Sequence, residues 1–347
     1  MNTLYNNRAL QQGLTDVGFP SIPKTHPLRL VSFSALGTLH SCPRRFELDR
    51  IGSQTMVTTL AWVDTVHTGY GSAFGAGLQA LLSGKSLQLA KLEAIINYRF
   101  HDIYPQVFAD EKSLFHCLNS LTRFYETELT ELTTDWEALI VDGQPASEIS
   151  FAIKFPNNFY DRGYIDFILQ HKVTKKILVV EIKTEGGYAP KNPQASEAKY
   201  KNSNQGNGYA LVADYLADKL GVENDISVVY IVHRTKTNTF EPYVFPKTPA
   251  ARLRYIKDRL AELGGLDFLI NRTLGEAPEP FPSFGNCATY GSVCQYYGIC
   301  ELKQDYSKIQ DVEIGDFKLL IDIKDLLNLQ HKRLNTDTDT SKRITEN

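Results

Sequence analysis

Residues 163–184 read GYIDFILQHKVTKKILVVEIKT, and this stretch decides the fold class of the chain. The segments 163–171 and 175–184 are short and rich in β-branched and aromatic residues, which favours β-strands. If the two strands form a hairpin, the centre of the connection falls between Val173 and Thr174. Residues whose numbers add up to 347 then face each other across the hairpin.

This register brings acidic side chains together. Asp166 and Glu181 would face each other directly, with their Cβ atoms roughly 5 Å apart on one face of the sheet. Lys183 lies two residues beyond Glu181 and shares that face, whereas Ile182 points into the core. The hairpin therefore predicts a cluster of two carboxylates and one ammonium group.

The predicted cluster has the parts needed to hydrolyse a phosphodiester. Two carboxylates this close repel each other unless a cation lies between them, and a hard ion such as Mg²⁺ suits carboxylate oxygens. A bound metal activates water and polarises a phosphoryl oxygen, while an ammonium group stabilises the transition state. The alternative is a strand with one exposed Glu and one exposed Lys. Asp166 favours the site, because a carboxylate in an apolar strand needs a partner.

The rest of the pattern places helices around this hairpin. We expect an α/β fold with a central mixed β-sheet flanked by helices and with a helical N-terminal insertion. Strands are predicted at 147–155, 163–171, 175–184, 226–234 and 239–245, and helices at 32–50 (capped by Ser34 and interrupted at Pro43), 70–83, about 87–135, 205–220 and about 248–263.

Composition narrows the class of protein. Hydrophobic residues at 42% and charged residues at 22% are ordinary for a globular protein. The net charge of -3 argues against a protein that coats nucleic acid by bulk charge, yet it permits a local basic groove beside an acidic metal site. No apolar run approaches the roughly 20 residues of a membrane span, and the N-terminus lacks a secretory pattern. We expect a cytoplasmic protein of a bacterial cell or phage-infected host.

At this point the chain resembles the RecB-type branch of the PD-(D/E)XK nucleases, which have a restriction-endonuclease-like core. Gly163 and Asp166 match the family's G-x-x-D strand, and Glu181-Ile182-Lys183 matches its E-x-K motif. The resemblance implies that Asp166, Glu181 and the Ile182 carbonyl bind Mg²⁺ or Mn²⁺. It also implies that Lys183 is the catalytic lysine.

Two further features bear on the resemblance. The family's Q-x-x-x-Y motif appears at Gln205 and Tyr209, which share a helix face and could reach the active-site edge and the DNA. Gly206 and Gly208 lower helix stability, which makes sense if a backbone or strand passes close by. Glu148 lies where some relatives place a further acid, although a solvated Glu at a strand edge explains it equally well.

One departure concerns the first helical motif. The RecB-type branch usually reads G-x-x-x-H there, and the His completes metal binding. The matching segment here runs from Gly71 to Gly75, with glycine where the His is expected. His67 precedes the motif and does not fit it. The second metal site and the preferred ion are therefore open.

Four of the five cysteines resemble a known metal staple. Cys42, Cys287, Cys294 and Cys300 resemble the [4Fe-4S] ligands of AddB-type and CRISPR-associated RecB-like nucleases. The spacing between Cys287 and Cys294 is wider than in that pattern, whereas the gap from Cys294 to Cys300 fits. A four-cysteine Zn²⁺ site and free cysteines that happen to cluster are the alternatives. Cys117 is expected to be a buried small hydrophobe.

The staple would join the N-terminal part to the end of the nuclease core. Losing it should destabilise the fold without abolishing the chemistry directly. Arg44 and Arg45, beside Cys42, are candidates for phosphate contacts, with surface solubility as the alternative role.

These observations give the following expectations. The chain is a metal-dependent DNA nuclease, expected to be an exonuclease in recombination, repair or phage DNA processing, with a helicase or recombination protein as partner. The alternative is a catalytically weak, iron–sulfur DNA-binding subunit of a recombination complex. The expected layout is an N-terminal arm at 1–28, a nuclease domain at 29–310 with a helical insertion at about 70–135 and a cysteine-rich segment at 281–302, and a disordered tail at 330–347.

Overall fold

The computed structural model describes residues 22–55, 66–98, 111–186, 193–222, 225–283, 287–289 and 292–345. The chain divides into two compact units. The first comprises residues 1–59, 154–161 and 267–318, and the second comprises residues 60–153, 162–266 and 319–347.

The α-helices and β-strands of the described residues are numbered here in chain order. The helices are α1 (Phe33–Ser41), α2 (Pro43–Thr55), α3 (Val66–Leu82), α4 (Leu87–Asn97), α5 (Leu114–Thr127), α6 (Leu129–Asp135), α7 (Pro193–Lys201), α8 (Asn204–Leu220), α9 (Pro249–Leu274) and α10 (Ile323–Thr345). The strands are β1 (Lys24–Thr25), β2 (Leu30–Val31), β3 (Trp136–Ala138), β4 (Ile140–Val141), β5 (Gln144–Pro145), β6 (Ser147–Lys154), β7 (Tyr160–His171), β8 (Ile177–Glu185), β9 (Ile226–Arg234), β10 (Thr239–Pro246), β11 (Ala288–Thr289), β12 (Ser292–Val293), β13 (Val312–Glu313) and β14 (Leu319–Asp322).

The central sheet confirms the predicted fold class. Its main strand order is β10-β9-β8-β7-β6-β14. Strand β8 runs antiparallel to β7 and parallel to β9, while β9 and β10 are antiparallel, so the sheet is mixed. The described residues therefore have the predicted α/β arrangement, a central mixed sheet with flanking helices.

The predicted hairpin register is also confirmed. Phe167 pairs with Val180 and Gln170 pairs with Ile177, so every pair in the β7–β8 ladder adds up to 347. The register is strongly specified because a slip by one residue would move each buried side chain to the opposite face.

Helices cover both faces of the sheet in the second unit. On one face, side chains of α3, α4 and α5 pack against alternate residues of the strands, among them Phe167, Val180 and Ile231. On the other face lies α8, whose residues 208–213 are all buried. The acidic residue Glu181 follows Val180 on β8 and so lies on the α8 face. The site is therefore formed between the sheet and α8.

Two helix boundaries differ from expectation in the first unit. Ser32, and not Ser34, caps α1, because Ser32 has extended backbone and accepts a hydrogen bond from the Ala35 N–H. Pro43 begins a new helix, since Cys42 is extended between α1 and α2 and proline is well suited to a first helical turn. Of the expected N-terminal arm, the described part includes β1, which pairs with β13.

The C-terminal residues correct the expectation of a disordered tail at 330–347, because α10 continues to Thr345. Buried polar contacts hold its first half. Gln330 is fully buried and donates to Asp214 of α8 (2.8 Å), and Arg333 lies 3.5 Å from the same carboxylate. Arg252 of α9 completes the cluster at 3.1 Å. A local pattern of apolar residues does not indicate such polar partners, because they lie far apart in the sequence.

No helix in the described ranges is both long enough and apolar enough to cross a lipid bilayer.

We predict that Asp214→Ala strongly destabilises the protein. The substitution leaves Arg252, which is 1% exposed, without its carboxylate, and breaking a buried pair in this way costs about 3–5 kcal/mol. Denaturant unfolding measures the loss. Asp218→Ala is the matched control, because that carboxylate is 37% exposed and its pairing with Arg333 is worth about 1 kcal/mol or less. Equal effects of the two substitutions would contradict the role of Asp214.

Candidate active site

The predicted acids lie where the β7–β8 ladder ends. The last backbone pair is Phe167 with Val180, one step before Asp166 and Glu181. Beyond this pair, a side chain makes the hydrogen bond between the two strands, because Asp166 Oδ2 accepts a hydrogen bond from the backbone N–H of Ile182 at 2.8 Å. The carboxylate of Asp166 is thus fixed against the strand that carries the E-x-K motif.

Glu181 and Lys183 meet Gln205 in one hydrogen-bonded group. Lys183 Nζ donates to Glu181 Oε1 (2.5 Å) and to Gln205 Oε1 (3.1 Å), and Gln205 Nε2 donates to Glu181 Oε1 (2.9 Å). Gln205 Nε2 also donates to the hydroxyl of Tyr209 at 3.0 Å. The structure therefore brings together all three predicted catalytic residues and both residues of the Q-x-x-x-Y motif.

The glycines of α8 allow the helix to approach its neighbours. A Cβ atom on Gly206 would lie 2.5 Å from the hydroxyl of Tyr230, and one on Gly208 would lie 2.8 Å from the hydroxyl of Tyr255. The close approach expected from the sequence is present, but tyrosine side chains make it. Tyr230 is the register neighbour of Glu181 on β9, so this packing sets the start of α8 beside the acids.

The acids are in an environment that disfavours their charge. Burial raises the pKa of Asp166 well above its ordinary value, and the charge of Glu181 raises it further. Burial also raises the pKa of Glu181, although Lys183 and Gln205 oppose this effect. One ammonium group therefore does not compensate two neighbouring carboxylates, of which Glu181 is buried and Asp166 is partly buried.

This arrangement fits a divalent cation. Glu181 Oε2 is buried and has no hydrogen-bond partner among the described residues, so one oxygen is available as a ligand beside Asp166. In the described part of the chain, no three His, Cys, Asp or Glu side chains converge to hold a metal. Two carboxylates are nevertheless a usual protein share for Mg²⁺, which takes its other ligands from water and phosphate.

Helix α3 carries the segment that departs from the family pattern. A Cβ atom on Gly75 would meet nothing within 4 Å, so the position where a His was expected has room for a side chain. His67 belongs to α3, but its side chain lies outside the described residues.

A pair of residues that the sequence analysis did not connect lies one helical turn later. Gln79 Nε2 donates to Glu148 Oε1 at 2.6 Å. Glu148 is exposed and has a positive φ of 48°, which is uncommon for a residue other than glycine. Its charge contributes to the raised pKa of Asp166 and Glu181. Gln79 stands four residues after Gly75, but nothing in the sequence points to Glu148 as its partner.

A second network follows the E-x-K motif on β8. Glu185 accepts hydrogen bonds from Lys199 and Tyr200 of α7 and from Arg234 of β9. Arg234 is 3% exposed and also binds Glu241 at 2.9 Å. Burial alone would raise the pKa of Glu185, yet the bonds from Lys199 and Tyr200 lower it. The network joins α7, which leads into α8, to the ends of two central strands.

The structure corrects the expectation that Arg44 contacts phosphate. Arg44 is 1% exposed and binds Glu47 at 2.6 Å, and it donates to the carbonyls of Cys300 (2.9 Å) and Leu302 (2.7 Å). Glu47 in turn accepts the N–H of Phe281 at 2.9 Å. This buried pair joins α2 to the cysteine-rich segment, a role that cannot be read from neighbouring residues in the sequence.

The four predicted cluster cysteines all belong to the first unit, but their thiols do not form a metal-holding group. Cys287 is exposed, whereas Cys42, Cys294 and Cys300 are partly buried. The geometry therefore does not fit a [4Fe-4S] or zinc site. Cys117 is fully buried, as expected, and burial raises the pKa of its thiol to about 12.

Comparison with protein families gives one match. The model of the PD-(D/E)XK nuclease superfamily matches residues 30–301, which include the whole candidate site. None of the curated proteins compared with the chain matches it.

Two solved structures are similar to the chain at low level. The "Putative exonuclease" from Eubacterium rectale is 9% identical over 81% of this chain and 90% of its own, with a TM-score of 0.40. The protein SSO0001 is 15% identical over 66% of this chain and 87% of its own, with a TM-score of 0.23. These values have no bearing on activity.

We predict that Asp166→Asn stabilises the metal-free protein at pH 8. The raised pKa means that the ionised acid destabilises the folded state, and asparagine can still accept the Ile182 N–H. The melting temperature should rise by roughly 2–4 °C per kcal/mol gained. The gain should fade as the pH drops below about 3, where aspartate is protonated in both the folded and the unfolded state.

The control for this measurement is Asp258→Asn, which alters a carboxylate that is 68% exposed and should leave the melting temperature unchanged. Adding Mg²⁺ or Mn²⁺ should stabilise the wild type and not the Asp166 variant. A lower melting temperature for Asp166→Asn at pH 8 without metal would contradict the claim that the charge of Asp166 destabilises the folded state.

Proposed function

The chain belongs to the PD-(D/E)XK nuclease superfamily, and we propose that it is a Mg²⁺- or Mn²⁺-dependent deoxyribonuclease with Asp166, Glu181 and Lys183 as its active-site core. The observation that carries the proposal is the pair of neighbouring acids beside a lysine ammonium, in which Glu181 is buried and its Oε2 has no hydrogen-bond partner among the described residues. A bound divalent cation would supply a water of lowered pKa and polarise a phosphoryl oxygen.

The chain's own residues have separable roles in this proposal. Asp166 and Glu181 bind the cation, together with the Ile182 carbonyl that the resemblance implies. The Lys183 side chain is 33% exposed, so its ammonium group can face both Glu181 and an incoming phosphate. There it stabilises the negative charge that develops in the transition state.

Gln205 orients the side chains of Lys183 and Glu181. Its amide oxygen accepts from Lys183 and its amide nitrogen donates to Glu181 and Tyr209, so each end of the amide is matched to its partner. Tyr209 is only 8% exposed, which supports a positioning role more than a broad DNA contact. Arg45, with a 46% exposed side chain, is kept as the phosphate-contacting candidate.

The mode of cleavage, the cellular process and the partner follow from the resemblance to the RecB-type branch. We propose an exonuclease that acts on DNA in recombination, repair or phage DNA processing, with a helicase or recombination protein as partner. The glycine at position 75 supports the second candidate, a catalytically weak DNA-binding subunit, because the usual His ligand is absent from that position.

We predict that Lys183→Ala lowers the rate of Mg²⁺- or Mn²⁺-dependent cleavage of end-labelled DNA by about 10²- to 10³-fold, the usual loss when one transition-state stabiliser is removed. Lys176→Ala is the control, because Lys176 is a 50% exposed lysine at the turn of the hairpin, where it pairs with Asp225 and lies at the opposite end of β8 from Lys183. Equal cleavage by wild type and Lys183→Ala would refute the site. Absence of cleavage by wild type, with DNA binding retained, would favour the weak subunit.

The iron–sulfur cluster stays a prediction of the resemblance. Nothing in the described part of the structure supports it, because the thiols of Cys42, Cys287, Cys294 and Cys300 do not form a metal-holding group. Metal analysis of anaerobically purified protein tests it: a cluster predicts brown protein with about four iron atoms per chain. Stoichiometric zinc would support the zinc alternative. If the protein contains neither metal, polar contacts such as the Arg44–Glu47 pair and the bond from Tyr296 to Asp49 join α2 to this region without a bound metal.

A further inference from the structure

Two of the cysteines lie directly opposite each other at the end of a short hairpin. Strands β11 and β12 are antiparallel, and each of their residue pairs, such as Ala288 with Val293, adds up to 581. Cys287 and Cys294 add up to the same number and are the next pair along. The N–H of Cys294 donates to the carbonyl of Cys287 at 2.7 Å, which extends the pairing to the two cysteines.

This pairing places the two thiols within reach of each other. Opposite residues of an antiparallel pair have their side chains on the same face of the hairpin. Where such a pair is hydrogen-bonded, its Cα atoms lie about 5.5 Å apart, and most disulfides have a Cα separation of roughly 5.5–6 Å. A bond between the two sulfur atoms therefore fits the backbone pairing that is already present.

The other two cysteines of the expected cluster do not join this pair. The thiol of Cys300 lies 3.9 Å from the hydroxyl of Ser283. In the described part of the chain, neither Cys42 nor Cys300 completes a metal-holding group with the pair. The structure thus favours a pair of thiols over a four-thiol metal site.

The two cysteines differ in how firmly they are held. Tyr296, two residues after Cys294, donates to Asp49 of α2 at 2.7 Å, so the segment after Cys294 is bound to a helix. Cys294 is partly buried, whereas Cys287 is exposed and accessible to a small reagent. A bond between the two sulfur atoms would tie the exposed strand of the hairpin to the segment that binds α2.

We propose that Cys287 and Cys294 are a redox-active pair that hydrogen peroxide converts to a reversible disulfide across the end of the β11–β12 hairpin. The proposal goes beyond the nuclease activity and does not depend on it. An exposed disulfide of this kind is readily reduced by a small thiol, which makes the modification reversible.

The reaction balances with peroxide as the oxidant. The thiolate of the exposed Cys287 attacks one peroxide oxygen, and the O–O bond breaks to give a sulfenic acid and hydroxide, which takes up the thiol proton as water. The sulfur of Cys294 then attacks the sulfenic sulfur, the S–S bond forms, and the sulfenic oxygen leaves as a second water with the proton of Cys294. Both sulfur atoms are oxidised and both peroxide oxygens are reduced.

The test is peptide mapping of the full chain. Reduced protein, freed of reductant, is treated with an equimolar amount of hydrogen peroxide and then denatured in N-ethylmaleimide. Of the five cysteines, two should escape alkylation. Chymotrypsin cleaves after Tyr290 and Tyr296, which separate the three C-terminal cysteines in the sequence. The fragments that contain Cys287 and Cys294 should be joined, and dithiothreitol should separate them.

Serine variants identify the partners. Cys300→Ser is the control and should form the same link, because Cys300 lies outside the pair. Cys294→Ser should prevent the link and leave Cys287 as a sulfenic acid, which dimedone traps. Alkylation of all five cysteines of wild type after peroxide, or a link to Cys300 instead, would overturn the proposal. Stoichiometric iron or zinc that protects Cys287 and Cys294 from alkylation before peroxide is added would also overturn it.

Discussion

The local structure around the site depends on the charge of two neighbouring acids, of which Glu181 is buried and Asp166 is partly buried. Desolvation and mutual repulsion raise the pKa of Asp166, burial raises that of Glu181, and Lys183 supplies a single compensating charge. Such a pair destabilises the folded chain unless a cation joins it. In the proposed function, the repulsion that weakens the metal-free protein is also the source of affinity for a divalent ion, which links stability to chemistry.

The fold keeps the acids in this unfavourable place by anchoring every element around them. Tyr230 packs against Gly206 at the start of α8, which places Gln205 over Glu181 and Lys183. Farther along α8, Asp214 is held by buried partners from α9 and α10. Beyond the E-x-K motif, Glu185 ties β8 to α7 and β9. Removal of one anchor should disturb the active group even where it touches neither acid.

The hairpin and its register could be predicted because side chains alternate along a strand and each apolar position must face the core. Gln205 and Tyr209 were predicted from the resemblance to the RecB-type branch, and residues four apart on a helix share a face, so both could be expected at one place. Arg44 was assigned wrongly, since its buried partner Glu47 and the carbonyl of Cys300 make it structural. Likewise, the polar sequence of α10 suggested disorder, whereas the buried partners of Gln330 are Asp214 and Arg252, which lie 116 and 78 residues away in the sequence. Such long-range polar pairing leaves no periodic signal in the sequence.

The central claim is that one divalent cation is shared by Asp166 and Glu181. Anomalous diffraction from crystals grown with Mn²⁺ tests it most directly. The account predicts a single strong peak within bonding distance of an oxygen of Asp166 and of Glu181 Oε2, the oxygen that has no hydrogen-bond partner. Manganese bound elsewhere, with these two carboxylates left unbridged, would contradict it.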